Sequence, residues 1–361
     1  MDYLEERIVN DMGMREYYVT GHTADGVVNF LNDNIAHLNE IIVLKHPSLI
    51  WKTEILTAYA HAVGEDKLEW LHSRYGNRFS EGVINITQSV AVLTEEALPA
   101  QHDFPVKEIH LSETFHLPIY EDDETQVVLE EHVSTSCQHF KEGLIIHDDL
   151  EQIYINQINT VKADKLAHEL ATNVLKNIEQ KDKRSIIKRR MFGTNTPDGS
   201  VNIVPELTEE LETVYMLHGR AGTGKSTLMR HFTNECLEKG LDLELYHCSF
   251  DPKSIDMVRV PELSVCVFDA TSPHAFSPWK AGQHVIDTYK EFVNQGTDEK
   301  YQDVIEEVTN EYKSFMKKGM KSLQRVGKII EAKERPYELE YENYQSQFVT
   351  IARQLMEKSI Q

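Results

Sequence analysis

A lysine and a hydroxyl directly behind a glycine-rich turn can hold phosphate and a divalent ion. The chain carries this arrangement as Gly219-x-x-x-x-Gly224-Lys225-Ser226, the spacing of a P-loop. Glycines let the backbone approach phosphate oxygens closely and aim successive N–H groups at them. A helix N-terminus behind the loop would add partial positive charge. In that reading Gly219, Arg220, Ala221, Gly222, Thr223, Gly224, Lys225, Ser226 and Thr227 form the nucleotide-binding stretch. Lys225 reaches the β/γ-phosphates and Ser226 ligates Mg²⁺. The competing reading is a chance glycine-rich turn.

Other residues fit around this loop. Asp269 closes the apolar run Leu263–Phe268, where a Walker B aspartate would orient water on Mg²⁺ and complete the metal site begun by Ser226; the plainer reading is a turn cap. Ala270 follows it, so the glutamate that many P-loop ATPases place there is absent. Asp251 follows a second strand, in a place suited to a catalytic base. Its plainer reading is the cap of a helix starting at Pro252. Asp256 is a reserve acid for the metal. Thr271–His274 reads as a turn or a γ-phosphate sensor, and Arg220 and Arg259 as surface residues or charge stabilisers.

The elements that must position these residues are legible on both sides of the loop. Val214–Leu217 reads as a buried strand, and Leu228, Met229, Phe232 and Cys236 recur at helical spacing up to Gly240. Leu241–His247 and Leu263–Asp269 read as further strands, Pro205–Leu211 as a short helix, and Pro197–Gly199 as a turn. Asp298–Lys333 reads as a helix broken at Pro336, with another over Leu339–Lys358 and a mirrored pair across Val127–Ile178. These helices read as sheet cover or an interdomain brace. The sharper alternative is a lid that brings Lys317, Lys321, Arg325 or Lys328 to phosphate.

The first half repeats the second. At an offset of 173, Thr23, Asp25, Gly26 and Asn29 meet Thr196, Asp198, Gly199 and Asn202, and Lys52-Thr53 meets Lys225-Ser226. After a two-residue insertion the offset becomes 175, and Leu68–His72 meets Leu243–His247. The expected fold is α/β: two tandem P-loop NTPase-like domains, 12–180 and 185–361, each a mainly parallel sheet flanked by helices and followed by a long helical hairpin. The first copy has His46 and Trp51 in place of the loop glycines and Thr94 in place of Asp269. It keeps a lysine and a hydroxyl but loses the cradle and the acid, so one nucleotide site is expected, in the second half.

The net charge of −22, from 37 basic and 59 acidic residues, argues against general nucleic-acid binding. Basic clusters at Lys181–Arg190 and Lys317–Arg335 read as solvated faces or a linker. Four scattered cysteines without a C-x-x-C pair suggest a reducing cytoplasm. Met1–Arg7 does not read as a signal peptide. No apolar run approaches the roughly 20 residues of a membrane span. Seventeen histidines form no H-E-x-x-H or close Cys/His cluster in sequence.

The runs Gly219–Met229, His247-Cys-x-x-Asp-Pro-x-Ser-x-Asp256, Pro261-Glu-Leu263 and Asp269-x-Thr-x-Pro-His274 resemble a bacterial family of duplicated P-loop proteins, labelled ATPases or nucleotide kinases. The resemblance is close over 190–275 and fainter over 15–95. In that family both halves can carry a glycine-rich loop; here the first does not. The resemblance implies nucleotide binding but no particular substrate. The leading expectation is Mg²⁺-dependent ATP hydrolysis, with Lys225, Asp269 and Asp251 as catalytic groups. GTP is second to ATP because no N-K-x-D signature is present. The alternatives are a kinase with a small-molecule or nucleotide acceptor, and a nucleotide-gated interaction protein with a protein partner.

Overall fold

The computed structural model describes residues 14–120, 123–271 and 275–358. The first half runs β1 (Arg15–Tyr18), β2 (Thr20–Thr23), β3 (Gly26–Asn29), α1 (Leu31–Ile35), β4 (Glu40–Lys45), α2 (Leu49–Val63), β5 (Leu68–His72), β6 (Ser80–Asn85), β7 (Val90–Thr94), β8 (Lys107–His110) and α3 (Leu111–Phe115). Two longer helices follow, α4 (Asp123–Ile155) and α5 (Thr160–Leu175). The second half runs β9 (Ile187–Arg190), β10 (Gly193–Thr196), β11 (Gly199–Asn202), α6 (Val204–Thr208), β12 (Thr213–His218), α7 (Lys225–Glu238), β13 (Leu243–His247), β14 (Ile255–Val260), β15 (Val265–Asp269), β16 (Gln283–Asp287), α8 (Thr288–Phe292) and α9 (Thr297–Lys300). It closes with α10 (Gln302–Leu339) and α11 (Tyr341–Lys358).

Two six-stranded sheets carry the same order, β1-β5-β6-β7-β4-β8 and β9-β13-β14-β15-β12-β16, each with a two-stranded hairpin beside it. Even the irregularity recurs: register shifts at Leu71/His72 in one sheet and at Tyr246/His247 in the other. The central strands are buried on both faces, as Ile42, Val43 and Leu44 are, which suits β-branched and aliphatic runs.

The sheets are mixed but mainly parallel, as expected: in each, five of the six strands run the same way and one runs against them. β6 and β14 run antiparallel to both neighbours. The connections over 73–79 and 86–89 are too short for the crossover of a dozen or more residues that a parallel pair requires. For the same reason no helix starts at Pro252. Residues 248–254 form the β13–β14 turn, with the Ser254 N–H donating to the Asp251 carbonyl at 3.0 Å.

The halves share one interior. Tyr18 and Met191 exchange backbone hydrogen bonds of 3.0 and 2.9 Å, and residues of both sheets form one apolar cluster. Arg190 is fully buried there, 2.8 Å from Glu69 and 3.3 Å from Glu244, with its guanidinium 3.6 Å from the centre of the Tyr17 ring. Burial alone would raise the Glu244 carboxyl, but Arg190, Arg15 and Arg259 hold it down at about 2.

The helical pairs cross over. Ala167, Leu170, Ala171 and Leu175 of α5 bury against Leu228, Met229, Phe232 and Cys236 of α7, in the other half. Phe348, Ile351, Ala352 and Leu355 of α11 bury against Trp51, Ile55, Leu56 and Tyr59 of α2. Both stripes follow the i, i+3, i+4 spacing of a helix face. Between them α4 packs along α10. A β-carbon at Gly319 would stand 2.7 Å from Cδ1 of Phe140, so only glycine permits that approach. The helices are therefore a brace exchanged between halves.

Pro336 does not end its helix. It sits in the last turn of α10, where one lost N–H bond is offset by anchors on either side. Glu334 is buried at 1% exposure, and the Tyr337 carbonyl accepts from Nε1 of Trp51 at 3.0 Å. Among the described residues no helix is long and apolar enough to cross a membrane.

Candidate functional site

β12 delivers the chain to the carboxyl edge of the second sheet, and α7 starts at Lys225. Between them Gly222 (φ 71°) and Gly224 (φ 88°) both adopt left-handed backbone, which glycine enters without steric cost. Nζ of Lys225 donates to the Arg220 carbonyl at 2.6 Å and lies 3.6 Å from Oδ2 of Asp269. The Thr223 hydroxyl ties the loop to Arg220 at 2.8 Å. Ser226 is half-buried, its hydroxyl accepting from Arg230 at 3.2 Å, and Thr227 is exposed. Ala221 lies beside a cavity of about 360 Å³ that also includes Arg220, Leu150 and Asp298.

Asp269 reaches this place because β15 pairs in parallel with β12, Leu217 beside Asp269. Asp256, on antiparallel β14, is buried near it. Burial first, and the Asp269 charge second, push the Asp256 carboxyl up to about 7, while the nearby Cys248 thiol and the charge of Lys225 pull the other way. Asp251 stands in the β13–β14 turn and accepts from the Lys253 N–H at 3.1 Å. Its charge acts on Asp256, Asp148 and Glu151 alike. The structure thus gathers Lys225, Asp269, Asp256 and Asp251 around one loop.

Three further residues come from α4 of the first half: His147, Asp148 and Glu151. The backbone of Glu151 lies against the loop, so that a β-carbon at Gly222 would stand 2.8 Å from Cα of Glu151. The Glu151 carboxylate lies near the Gly222 N–H, which favours its charged form. Burial and the Asp148 charge raise this carboxyl against the pull of Lys225. Burial, then Lys225, lowers His147, which packs edge-on against Phe250 and Tyr312. No local pattern in 123–155 marks these residues, because the loop they meet lies about 70 positions downstream.

Some expectations are corrected. The cover over the loop is α4, not the basic stretch of α10: Lys317, Lys321, Arg325 and Lys328 do not line the cavity beside Arg220, which α10 reaches through Gln302–Asn310. Arg259 is buried away from the loop, 2.7 Å from Glu244 and also paired with Glu210. Arg220 points outward, 3.1 Å from Asp298 and over the Tyr289 ring. Of the Thr271–His274 turn, Ser272, Pro273 and His274 lie outside the described residues; the Thr271 N–H donates to Asp269 at 2.9 Å.

The corresponding place in the first half is built differently. α2 starts at Leu49, three residues before Lys52, so helix takes the place of the glycine loop. Glu334 of α10 fills its N-terminus. Its carboxylate accepts from the Ser48 hydroxyl at 2.7 Å, the Leu49 N–H at 2.7 Å and the Ile50 N–H at 3.2 Å, and so occupies the N–H groups that a helix N-terminus can offer an anion. Lys52 is fully buried, 3.0 Å from Glu95 and 2.6 Å from Glu96, and the Thr53 hydroxyl accepts from the Ser80 N–H. The first copy has therefore not lost its acid: the acid moves one and two places past Thr94. A cavity of about 860 Å³ adjoins this place, between Tyr75, Glu96, Leu129 and Lys333.

Comparison with family models, curated proteins and solved structures finds no match to this chain.

Proposed function

We propose that the chain is a P-loop protein that binds ATP with Mg²⁺ at one site in its second half and hydrolyses it. The observation that carries the reading is the setting of Lys225. It is 7% exposed, is held behind two left-handed glycines, and stands 3.6 Å from an acid delivered by the neighbouring strand. In the reaction, loop N–H groups and Lys225 would take the phosphates. Ser226 and Asp269 would hold Mg²⁺, with Asp256 available once it has lost its proton, and the ion would neutralise charge developing on the transferred phosphoryl. Asp251 would accept the proton of the attacking water. The phosphates would have to displace Glu151 from beside Gly222 and draw Lys225 away from the Arg220 carbonyl.

Kinase activity is a second reading, favoured by Asp148 and Asp251 lying close enough that, after burial, the Asp251 charge raises the Asp148 carboxyl. An acceptor hydroxyl there would find a base. Incubation with γ-labelled ATP, with and without a panel of nucleosides and small metabolites, separates the readings. Water-only release of label supports hydrolysis, and acceptor-dependent transfer supports a kinase. Binding without turnover leaves the nucleotide as a switch for a protein partner, and absence of binding removes all three.

A further inference from the structure

His168 on α5 and His231 and Glu235 on α7 come together although the chain separates them by more than 60 residues. One ligand atom from each lies within 4.8 Å of the others. His231 and Glu235 are one helical turn apart, which places both on one face, and His168 stands across the α5–α7 contact, its ring centroid 6.4 Å from that of His231. Nε2 of His231 is shielded from solvent yet has no hydrogen-bond partner. Its closest acid atom is Oε1 of Glu235, at 3.6 Å, beyond hydrogen-bond length.

The plain alternative is a surface His–Glu ion pair within one helix. It leaves Nε2 without a hydrogen bond and gives His168 no part. A tetrahedral ion bonded at about 2.1 Å holds its ligand atoms about 3.4 Å apart, close to the His231–Glu235 separation, and His168 needs only a small ring movement to complete the set. Thr172, one turn beyond His168, has its hydroxyl 3.4 Å from Nε2 of that ring. This is the kind of outer partner that orients a ligating imidazole.

We infer that His168, His231 and Glu235 form a binding site for Zn²⁺ or another imidazole-preferring divalent ion, which staples α5 of the first half to α7 of the second. Two nitrogens and one carboxylate suit zinc and exclude Mg²⁺, which takes oxygen ligands. The fourth position faces solvent and takes water. The ion ties the exchanged helix of one half to the helix that begins at Lys225 in the other. The site stands independently of nucleotide binding.

The test uses the full chain, stripped with a chelator, dialysed, and titrated calorimetrically with Zn²⁺ under excess Mg²⁺, which saturates the acids near Lys225. The wild-type chain should take up one Zn²⁺ at its tightest site and melt at a higher temperature with zinc. His168→Ala, His231→Ala and Glu235→Gln should each weaken that uptake by about tenfold or more, and His168→Ala should abolish the rise in melting temperature. His168 is exposed, so this variant should fold and melt as the wild type does without zinc. It decides the matter if His231→Ala does not fold. No zinc uptake by the wild type, or an unchanged isotherm in His168→Ala, would overturn the inference.

Discussion

If the loop binds ATP as proposed, Glu151 competes with its phosphates, and removing it should tighten nucleotide binding. The Glu151 carboxylate lies near the Gly222 N–H and is attracted by Lys225, both of which favour its charged form. A well-made hydrogen bond to a charged group contributes about 1.5–3 kcal/mol, which bounds this contact from above. The side chain is 39% exposed, which screens the interaction and favours the lower end, about 1.5 kcal/mol. Released on substitution, that corresponds to roughly tenfold tighter binding. Glu151→Gln removes the charge and keeps the shape, so it should show most of the gain; Glu151→Ala should show all of it. The close approach of the helix backbone to Gly222 remains in both. Titration of a fluorescent ATP analogue into wild type and both variants gives the affinities, with turnover measured in parallel. Unchanged or weaker affinity in both variants refutes the competitor role. Unchanged affinity with lost turnover would make Glu151 part of the reaction instead.

Asp269→Asn should leave nucleotide bound, several-fold more weakly, while turnover collapses because Mg²⁺ loses its charged partner; Asp251→Asn should lower kcat with little change in melting temperature if Asp251 is the base. Lys52→Ala should leave nucleotide affinity unchanged and destabilise the chain by about 3 kcal/mol, because Glu95 and Glu96 lose their buried partner, as chemical denaturation would measure. The Asp256 carboxyl, raised to about 7, should still hold its proton over part of the population at neutral pH. Mg²⁺ binding should then release protons and tighten as pH rises from 6 to 8. Calorimetry in buffers of different ionisation enthalpy reads this release, and Asp256→Asn should abolish it. Glu244 titrates with the opposite sign: its depressed carboxyl contributes stability that is complete above roughly pH 4.5 and lost as pH falls toward 2, so acid unfolding should begin in that window.

The loop, its strand and helix and the duplication are legible because each is written in local pattern: glycine spacing, an apolar run, a helical stripe, a constant offset. The antiparallel strands β6 and β14 are not. Pro252 behind Asp251 looks like a helix start, and only the brevity of the turns on either side of the strand forces a hairpin. The exchange of helices is also hidden. Leu170 and Ala171, or Ile351 and Ala352, announce a buried face but not which half buries it. The same holds for Glu151 and Glu334, ordinary helical glutamates whose roles arise where the opposite half's loop meets them. At the first copy, the absence of glycine is visible in His46 and Trp51. That Glu334 seals the helix start, and that Glu95 and Glu96 hold Lys52, comes from contacts across roughly 40 to 290 positions, for which no local pattern exists.

The most direct test of the central claim is the stoichiometry of ATP binding with Mg²⁺, measured calorimetrically on the wild-type chain, Lys225→Ala and Lys52→Ala. The account predicts one site in the wild type, lost or severely weakened in Lys225→Ala and retained in Lys52→Ala. Wild-type affinity and turnover in Lys225→Ala, or two comparable sites of which Lys52→Ala removes one, would contradict it.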